Sequence, residues 1–283
     1  MSGRKVKKDV FVNATREWFG KYAGYRSLDD ARAVVGISGG KDSSVVAALL
    51  KEALGAENVL GVTMPNRAQV DMQDSLDLLD HLGICRCGVN IGGAYRSLLE
   101  FLGGAFVTEE EAYGLEVPIK DDKAVTTNLP ARLRMATLYA IANHENRRVV
   151  GTGNKAEILC GYYTLWGDGA CDFDPIADLY VDEVIELGRQ LGVPDRFLLK
   201  TPDDGMSGIP DETKLGFLYS DVKVFHESPY LTAKSKLGED KFKRICNRIN
   251  STEYKRFLSR VPYISIDGSL KNLYCRDITN DVY

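Results

Sequence analysis

Apolar and polar positions alternate along this chain in blocks that predict strands followed by helices. The apolar run 33–35 precedes a glycine-rich turn and a second apolar run, 45–50, which predicts a strand, a tight turn and a helix. Residues 58–64 end at Pro65 and predict a second strand. Strands that alternate with helices are typical of a mostly parallel sheet covered on both faces.

The same alternation continues further along the chain. Apolar residues recur at helical spacing over 70–82, and residues 84–91 predict a third strand. Residues 129–146 predict a long helix with Pro130 in its first turn, where a proline is tolerated. The short apolar run 148–150 predicts a further strand, so we expect a doubly wound α/β fold.

The pattern predicts one domain over residues 1–283, a length sufficient for a large core. Residues 1–30 are expected to form a helical lead-in, and the C-terminal part a helical extension. Residues 103–124 are rich in Gly and Glu and show no clear period. We therefore expect a mobile loop there.

Composition and charge argue against a nucleic-acid-binding, membrane or secreted protein. The 36 basic and 40 acidic residues give a net charge of −4, which argues against a general nucleic-acid binder. Neither a membrane span nor the apolar core of a signal peptide is evident, so a cytoplasmic protein is expected. Its six cysteines are then expected as thiols, with Cys85 and Cys87 buried on one face of a strand.

The densest chemical signal is the glycine-rich turn GISGGKDSS at residues 36–44. Small residues between a strand and a helix expose backbone N–H groups to an anion at the helix N-terminus. The Walker loop does not fit, because Lys41 is followed by Asp42. The turn instead resembles the S-G-G-x-D-S loop of the ATP pyrophosphatases. The residues expected to bind ATP and pyrophosphate here are Gly36, Ile37, Ser38, Gly39, Gly40, Lys41, Asp42, Ser43 and Ser44.

A second glycine turn, residues 151–153, follows the strand 148–150. Ligands of open α/β sheets bind outside the carboxyl ends of the strands. We therefore expect the two turns to meet at one site, with Thr152 near the ATP.

The second turn begins a block that resembles ammonia-dependent NAD synthetases. The block consists of GTGNKAE at 151–157, GYYT at 161–164 and GDG at 167–169. The similarity extends to ARLRM at 131–135, to Asp172 with Pro175, and to the segment after Asp211. It covers roughly residues 30–260, more than a single motif would match by chance.

The resemblance implies a Rossmann-like fold of the adenine nucleotide α-hydrolase type and a two-step ligase reaction. The carboxylate of nicotinic acid adenine dinucleotide would attack the α phosphate of ATP, releasing pyrophosphate and forming an acyl adenylate. Ammonia would then displace AMP and form the amide of NAD. ATP is the co-substrate and Mg²⁺ the implied cofactor.

The resemblance also implies roles for individual residues. Asp42 and Glu157 would be metal ligands, and together with Asp172 they form the expected catalytic set. The expected dinucleotide-binding residues are Arg132, Tyr162, Asp172 and Lys255. A homodimer is implied as well.

Three positions depart from the family pattern. Val181 stands where many members carry a lysine on the ATP phosphates, Asp203 where they carry Thr or Ser, and Leu165 where a lysine lies near the substrate. Such changes weaken polyphosphate binding unless another cation compensates. The cations considered for this role are Lys41, Lys200 and Lys214.

Three alternatives stay open at this point. A related ligase could adenylate another carboxylate, and the three departures permit this. A sulfur transferase or tRNA-modifying enzyme shares the loop, but often adds a basic surface and paired cysteines. A nucleotide-binding regulator without catalysis is the third. Only about thirty residues precede the first strand, too few for a fused glutamine-hydrolysing domain, so free or separately supplied ammonia is expected.

Overall fold

The predicted α/β fold class is confirmed by the computed structural model, which describes residues 4–66, 72–102, 122–200, 211–258 and 261–272. A parallel sheet of four strands has the order β3-β2-β1-β4. Its strands are β1 (Ala33–Gly36), β2 (Val59–Thr63), β3 (Cys85–Gly88) and β4 (Arg148–Val150). A separate antiparallel pair consists of β5 (Tyr263–Ile264) and β6 (Leu270–Lys271).

Helices connect and cover the strands. In the described part of the chain they are α1 (Lys8–Lys21), α2 (Lys41–Leu54), α3 (Met72–Leu82), α4 (Gly92–Leu102), α5 (Lys123–Glu145), α6 (Lys155–Cys160), α7 (Val181–Gln190), α8 (Asp195–Leu198), α9 (Asp211–Leu215), α10 (Tyr219–Glu227), α11 (Tyr230–Leu237), α12 (Glu239–Ser251) and α13 (Glu253–Leu258).

The sheet buries apolar side chains on both faces because successive residues of a strand point in opposite directions. In β1, Val35 joins the core formed with α1, α2 and α7, whereas Val34 joins a second core beneath α5. Strand β1 is also central in pairing, with Val35 opposite Gly61 of β2 and Val150 of β4. Strands buried on both faces have continuous apolar sequences, and residues 33–35 of β1 are an example.

The N-terminal and C-terminal helices support opposite parts of the molecule. Helix α1 buries Phe11, Trp18 and Phe19, and the Trp18 ring stacks on Phe173 at 4.5 Å. The C-terminal helices α10 and α12 pack against α6 through a cluster that includes Tyr219 and Ile245. Helix α6, which follows the second glycine turn, is thereby held against the sheet.

Helix α5 begins earlier than the sequence predicts. Asp122 Oδ1 caps it by accepting hydrogen bonds from the backbone N–H groups of Ala124 and Val125. Pro130 therefore lies inside the helix, where it removes one backbone hydrogen bond and not merely a free N–H of the first turn. The prediction of a start at residue 129 is wrong. Most of the predicted loop 103–124 lies outside the described residues.

The cysteine prediction is partly wrong. Strand β3 lies at the edge of the sheet, so Cys85 is exposed and Cys87 only half-buried. The cysteines within the described ranges are all free thiols. Among the helices described, none is both long and apolar enough to cross a membrane.

Candidate active site

The two glycine turns meet at the carboxyl ends of β1 and β4, which are neighbours in the sheet. The first turn leads into α2, and the second leads into α6. The side-chain amide of Asn154 donates a hydrogen bond to Asp42 Oδ1 over 3.4 Å and so joins the two turns. The sequence prediction that these distant segments form one site is consistent with this geometry.

Serine hydroxyls hold the first turn in shape. Ser38 Oγ and Ser43 Oγ lie 3.1 Å apart, and Ser38 Oγ accepts a hydrogen bond from Gly40 N. Ser44 Oγ donates to the Gly40 carbonyl at 2.7 Å. Gly40 is the N-cap of α2 and provides no side-chain cap, so the first N–H groups of this 14-residue helix face the turn. Such a helix start favours an anion.

Gly39 is required in this turn for two reasons. Its φ of +77° lies in the left-handed region that residues with a Cβ rarely adopt. A Cβ at this position would also lie 3.1 Å from Asp74 Cβ and 3.1 Å from Ser75 Oγ, both in α3. The turn therefore packs directly against α3.

The second turn positions Glu157 through a capping box. Asn154 Oδ1 accepts hydrogen bonds from Ala156 N at 3.0 Å and Glu157 N at 3.1 Å, and Glu157 Oε2 accepts one from Asn154 N at 3.0 Å. The fully buried Asn154 was not among the predicted site residues. The spacing of an Asn with a Glu three residues later is a recognised start of a helix and would have indicated it.

Acidic groups and one buried lysine share the space between the turns. Burial and the charge of Asp42 raise the pKa of Glu157. Lys41 Nζ forms an ion pair with Asp42 Oδ2 at 2.9 Å. Burial alone would lower the pKa of Lys41, but the charges of Asp42 and Glu157 outweigh it and the pKa is raised. Lys41 is therefore positively charged at neutral pH.

Asp174 adds a further buried acid beneath the second turn. Its side chain lies against Gly151 and Gly153, where a Cβ would meet Asp174 within 3.2 Å. Burial, followed by the charge of Asp42, raises the pKa of Asp174 to about 8. Its Oδ1 is buried and accepts no hydrogen bond from the described residues. The sequence offered no signal for this proximity.

The donor set at Asp42 and Glu157 fits a magnesium ion. The charge of Asp42 raises the pKa of Glu157, and a divalent cation would relieve the repulsion between these two carboxylates. Across the described ranges, no three His, Cys, Asp or Glu side chains converge to form a complete metal cage. Mg²⁺ usually binds through one or two carboxylates and completes its coordination shell with water and substrate phosphates.

The predicted dinucleotide-binding residues surround the segment after α6. Tyr162 donates its hydroxyl hydrogen to Asp211 Oδ1 at 2.9 Å, and Arg132 donates to the Leu165 carbonyl at 3.4 Å. Lys255 Nζ donates to the carbonyls of Gly161 and Tyr163. In this structure these side chains shape the 161–165 segment, and their contacts with substrate stay predictions.

Asp172 is placed differently from the other predicted residues. Its Oδ2 accepts from Val149 N at 2.8 Å, and its Oδ1 accepts from the Tyr139 hydroxyl at 3.1 Å. Both oxygens thus bind neighbouring elements of the fold. Thr152 lies in the second turn itself, between β4 and α6.

Of the three positions that depart from the family pattern, Leu165 and Val181 are among the described residues. Val181 begins α7 and packs beside Ala156, whereas Asp203 lies outside the described residues. Lys200 Nζ pairs with Asp74 Oδ2 at 2.7 Å, next to Gly39, and Lys214 Nζ lies 3.7 Å from Asp211 Oδ1. Of the three compensating cations considered, Lys41 lies within the carboxylate cluster.

Comparison with known proteins identifies the family of the chain. The model of the NAD synthase family matches residues 12–259. The NH(3)-dependent NAD(+) synthetase of Methanosarcina acetivorans is 40% identical over 241 residues, 81% of this chain and 89% of the relative. The structure of NMN synthetase from Francisella tularensis has a TM-score of 0.70 at 29% identity, covering 89% of this chain and 97% of that chain.

A second solved structure, the NH3-dependent NAD synthetase from Campylobacter jejuni subsp. jejuni NCTC 11168 in complex with the nitrate ion, has a TM-score of 0.66 at 26% identity. That match covers 88% of this chain and 94% of the other. The family model spans most of the described residues, including both glycine turns and the carboxylates between them. The chain therefore belongs to the NAD synthase family of ligases.

Proposed function

We propose that this protein amidates nicotinic acid adenine dinucleotide to NAD, using ATP and ammonia. The observation that carries the proposal is the Asn154–Asp42 hydrogen bond, which joins an anion-binding helix start to the cap of the helix that carries the half-buried Glu157. A carboxylate is a poor electrophile, so it must first attack the α phosphate and expel pyrophosphate. Ammonia then attacks the carbonyl carbon of the acyl adenylate, AMP leaves, and the amide nitrogen loses its extra protons to solvent.

In this proposal the first turn holds the polyphosphate of ATP. The proposed donors are the N–H groups at the start of α2 and the hydroxyls of Ser38 and Ser43, whereas the Ser44 hydroxyl donates to the Gly40 carbonyl and holds the loop in shape. Val181 is uncharged where many family members carry a lysine on the ATP phosphates. In this chain Lys41 supplies a cation on the loop itself. Thr152 would contact the nucleotide from the second turn.

Asp42 and Glu157 are the proposed ligands of Mg²⁺. When bound, the ion neutralises charge that develops on the departing pyrophosphate. Asn154 positions both carboxylates, since it donates to Asp42 and exchanges hydrogen bonds with Glu157. The ion is thus proposed to bind where Asn154 joins the two turns.

The dinucleotide is proposed to bind along the 161–165 segment. Tyr162 presents an aromatic ring there for the pyridine, and Arg132 and Lys255 provide positive charge for its phosphates. Asp172 is proposed to contact the dinucleotide beside β4. Its carboxylate accepts hydrogen bonds from Val149 N and from the Tyr139 hydroxyl.

A homodimer is part of the proposal. Leu98, Phe101 and Leu102 lie at helical spacing on α4 and are exposed, with Phe101 53% exposed. Helix α4 lies against α5. Apolar side chains that recur three and four residues apart on one exposed helix face favour a protein interface. A second copy of this chain is the proposed partner.

The proposal is tested by pyrophosphate release with ATP, Mg²⁺, nicotinic acid adenine dinucleotide and ammonium, each omitted in turn, with NAD measured alongside. We expect pyrophosphate release that depends on the dinucleotide and NAD that depends on ammonium. ATP binding without either product would contradict the proposal.

Nicotinic acid mononucleotide is a second candidate substrate. The solved NMN synthetase, to which this chain is similar at a TM-score of 0.70, favours this candidate. The pyridine carboxylate to be activated is the same in the mononucleotide and in the dinucleotide. Comparing kcat/KM for the two acids distinguishes them. A higher value for the dinucleotide supports the first proposal, and a higher value for the mononucleotide supports the second.

A further inference from the structure

Lys41 places a cation inside the carboxylate cluster. Its side chain is only 4% exposed, and lysine is rarely buried without a partner. Its Nζ lies 2.9 Å from Asp42 Oδ2, and Asn154 Nδ2 lies 3.4 Å from Asp42 Oδ1. Both oxygens of this carboxylate therefore contact hydrogen-bond donors of the chain itself.

The surroundings of Lys41 are strongly acidic. The negative charges of Asp42, Glu157 and Asp211 all act on it, in that order. An ammonium group at this point neutralises part of the charge that would otherwise attract a divalent cation. A metal ion entering without nucleotide would also meet the positive charge of Lys41 at short range, where repulsion is large.

ATP changes this balance because its phosphates carry several negative charges. Lys41 is the first residue of α2, so the site expected to bind phosphate lies beside its own backbone. The flexible four-carbon stem of a lysine lets the ammonium exchange a carboxylate for a phosphate oxygen. Asp42 Oδ2 is then released for another ligand.

We propose that Lys41 acts as a resident cation that keeps divalent metal from Asp42 and Glu157 until nucleotide binds. The proposal rests on the proposed function, since it uses the same two carboxylates and the same phosphate site. It makes metal binding and ATP binding mutually dependent, because coupling between two ligands is reciprocal. Lys41 contacts the phosphates in the loaded state and thus replaces the cation absent at Val181.

The test is direct binding of Mn²⁺, counted as loss of the free-ion electron paramagnetic resonance signal, in the absence of nucleotide. Lys41→Met should bind Mn²⁺ at least about tenfold more tightly than the unmodified protein. Lys41→Arg, which keeps the charge, should bind as weakly as the unmodified protein. Lys51→Met is the matched control, because Lys51 is an exposed lysine in the last turn of the same helix. It should change nothing.

A double variant locates the effect. Adding Asp42→Asn to Lys41→Met should abolish the gained Mn²⁺ binding, since the ligand itself is lost. Equal Mn²⁺ affinity of Lys41→Met and the unmodified protein overturns the inference and leaves the proposed function standing.

A second arm uses only the unmodified protein and decides the matter if Lys41→Met does not fold. After subtraction of the Mn²⁺ that the α,β-methylene analogue of ATP binds without protein, the analogue should raise the Mn²⁺ affinity of the protein at least about tenfold. Equal affinity with and without the analogue overturns the inference. Failure to bind Mn²⁺ even with the analogue overturns both the inference and the proposed metal site.

Discussion

The side-chain amide of Asn154 donates a hydrogen bond to Asp42 Oδ1 across 112 residues of sequence. The same side chain caps α6 by accepting from Ala156 N and Glu157 N. One buried asparagine therefore sets the start of a helix and the spacing of two carboxylates. The capping role and the role in the site are separable by experiment.

Asn154→Ala should lower stability and abolish the reaction. Loss of a helix cap costs about 1–2 kcal/mol, and the contact with Asp42 is lost as well. Asp122→Ala is the matched control, because Asp122 caps α5 through the same pair of hydrogen bonds away from the turns. Urea denaturation should show a loss of stability for both variants, larger for the buried Asn154, whereas pyrophosphate release should fail only in Asn154→Ala. Normal turnover by Asn154→Ala would contradict the positioning role.

Asp42→Asn should fold normally but lose adenylation. The substitution keeps the shape of the side chain and removes the charge on which the cluster depends. We expect pyrophosphate release to fall at least about 100-fold, since several kcal/mol of charge stabilisation are lost. Circular dichroism checks the fold. Turnover within a few fold of the unmodified protein would refute the assignment of Asp42.

Gly39→Ala should destabilise the protein by about 1–3 kcal/mol and weaken ATP binding, because both the positive φ and the contact with α3 are violated. Gly20→Ala is a contrasting variant. Gly20 is an exposed glycine of α1, and nothing lies within 4 Å of an added Cβ. It should gain up to about 1 kcal/mol of stability. Thermal unfolding of the two variants should therefore show opposite changes in stability. Nucleotide titration should show weaker ATP binding for Gly39→Ala only.

Asp174 should make stability depend on pH. The pKa of an aspartate in the unfolded chain is about 3.9. In the folded protein, burial and the charge of Asp42 raise the pKa of Asp174 to about 8. Between these values the folded state holds the extra proton, so this group makes stability fall as pH rises, by up to about 1.4 kcal/mol per pH unit. Asp174→Asn removes that contribution. Its stability relative to the unmodified protein should increase from pH 5 to pH 8 in urea denaturation, and a constant difference would exclude the shift.

Phe101→Glu should produce monomers. A charge at this 53% exposed position of α4 would have to be desolvated in the proposed dimer. Leu231→Glu on α11 is the matched control, since Leu231 is 77% exposed and lies on another helix. Analytical ultracentrifugation should show one chain for Phe101→Glu and two for the control. Dissociation of both, or of neither, would contradict an interface on α4.

The sequence predicted the parts of the site that depend on local patterns. The glycine turns before α2 and before α6 were identified because each follows a short apolar run and because each resembles a segment of a known family. The cap of α5 was missed because Pro130 is itself a common sign of a helix start, and it masked Asp122. The raised pKa of Asp174 could not be predicted, since it arises from burial and then from the charge of Asp42, a neighbour only in three dimensions.

The pairing of β1 with β4 has a consequence for folding. The segments that build the nucleotide site are neighbours only after a parallel crossover of more than one hundred residues has closed, and such long-range pairings form slowly. A chain in which β1 has formed with α2, but not yet with β4, has an anion-binding loop without its carboxylate partner. Nucleotide binding during refolding would therefore report the arrival of β4, and ATP would stabilise only chains that have completed this step.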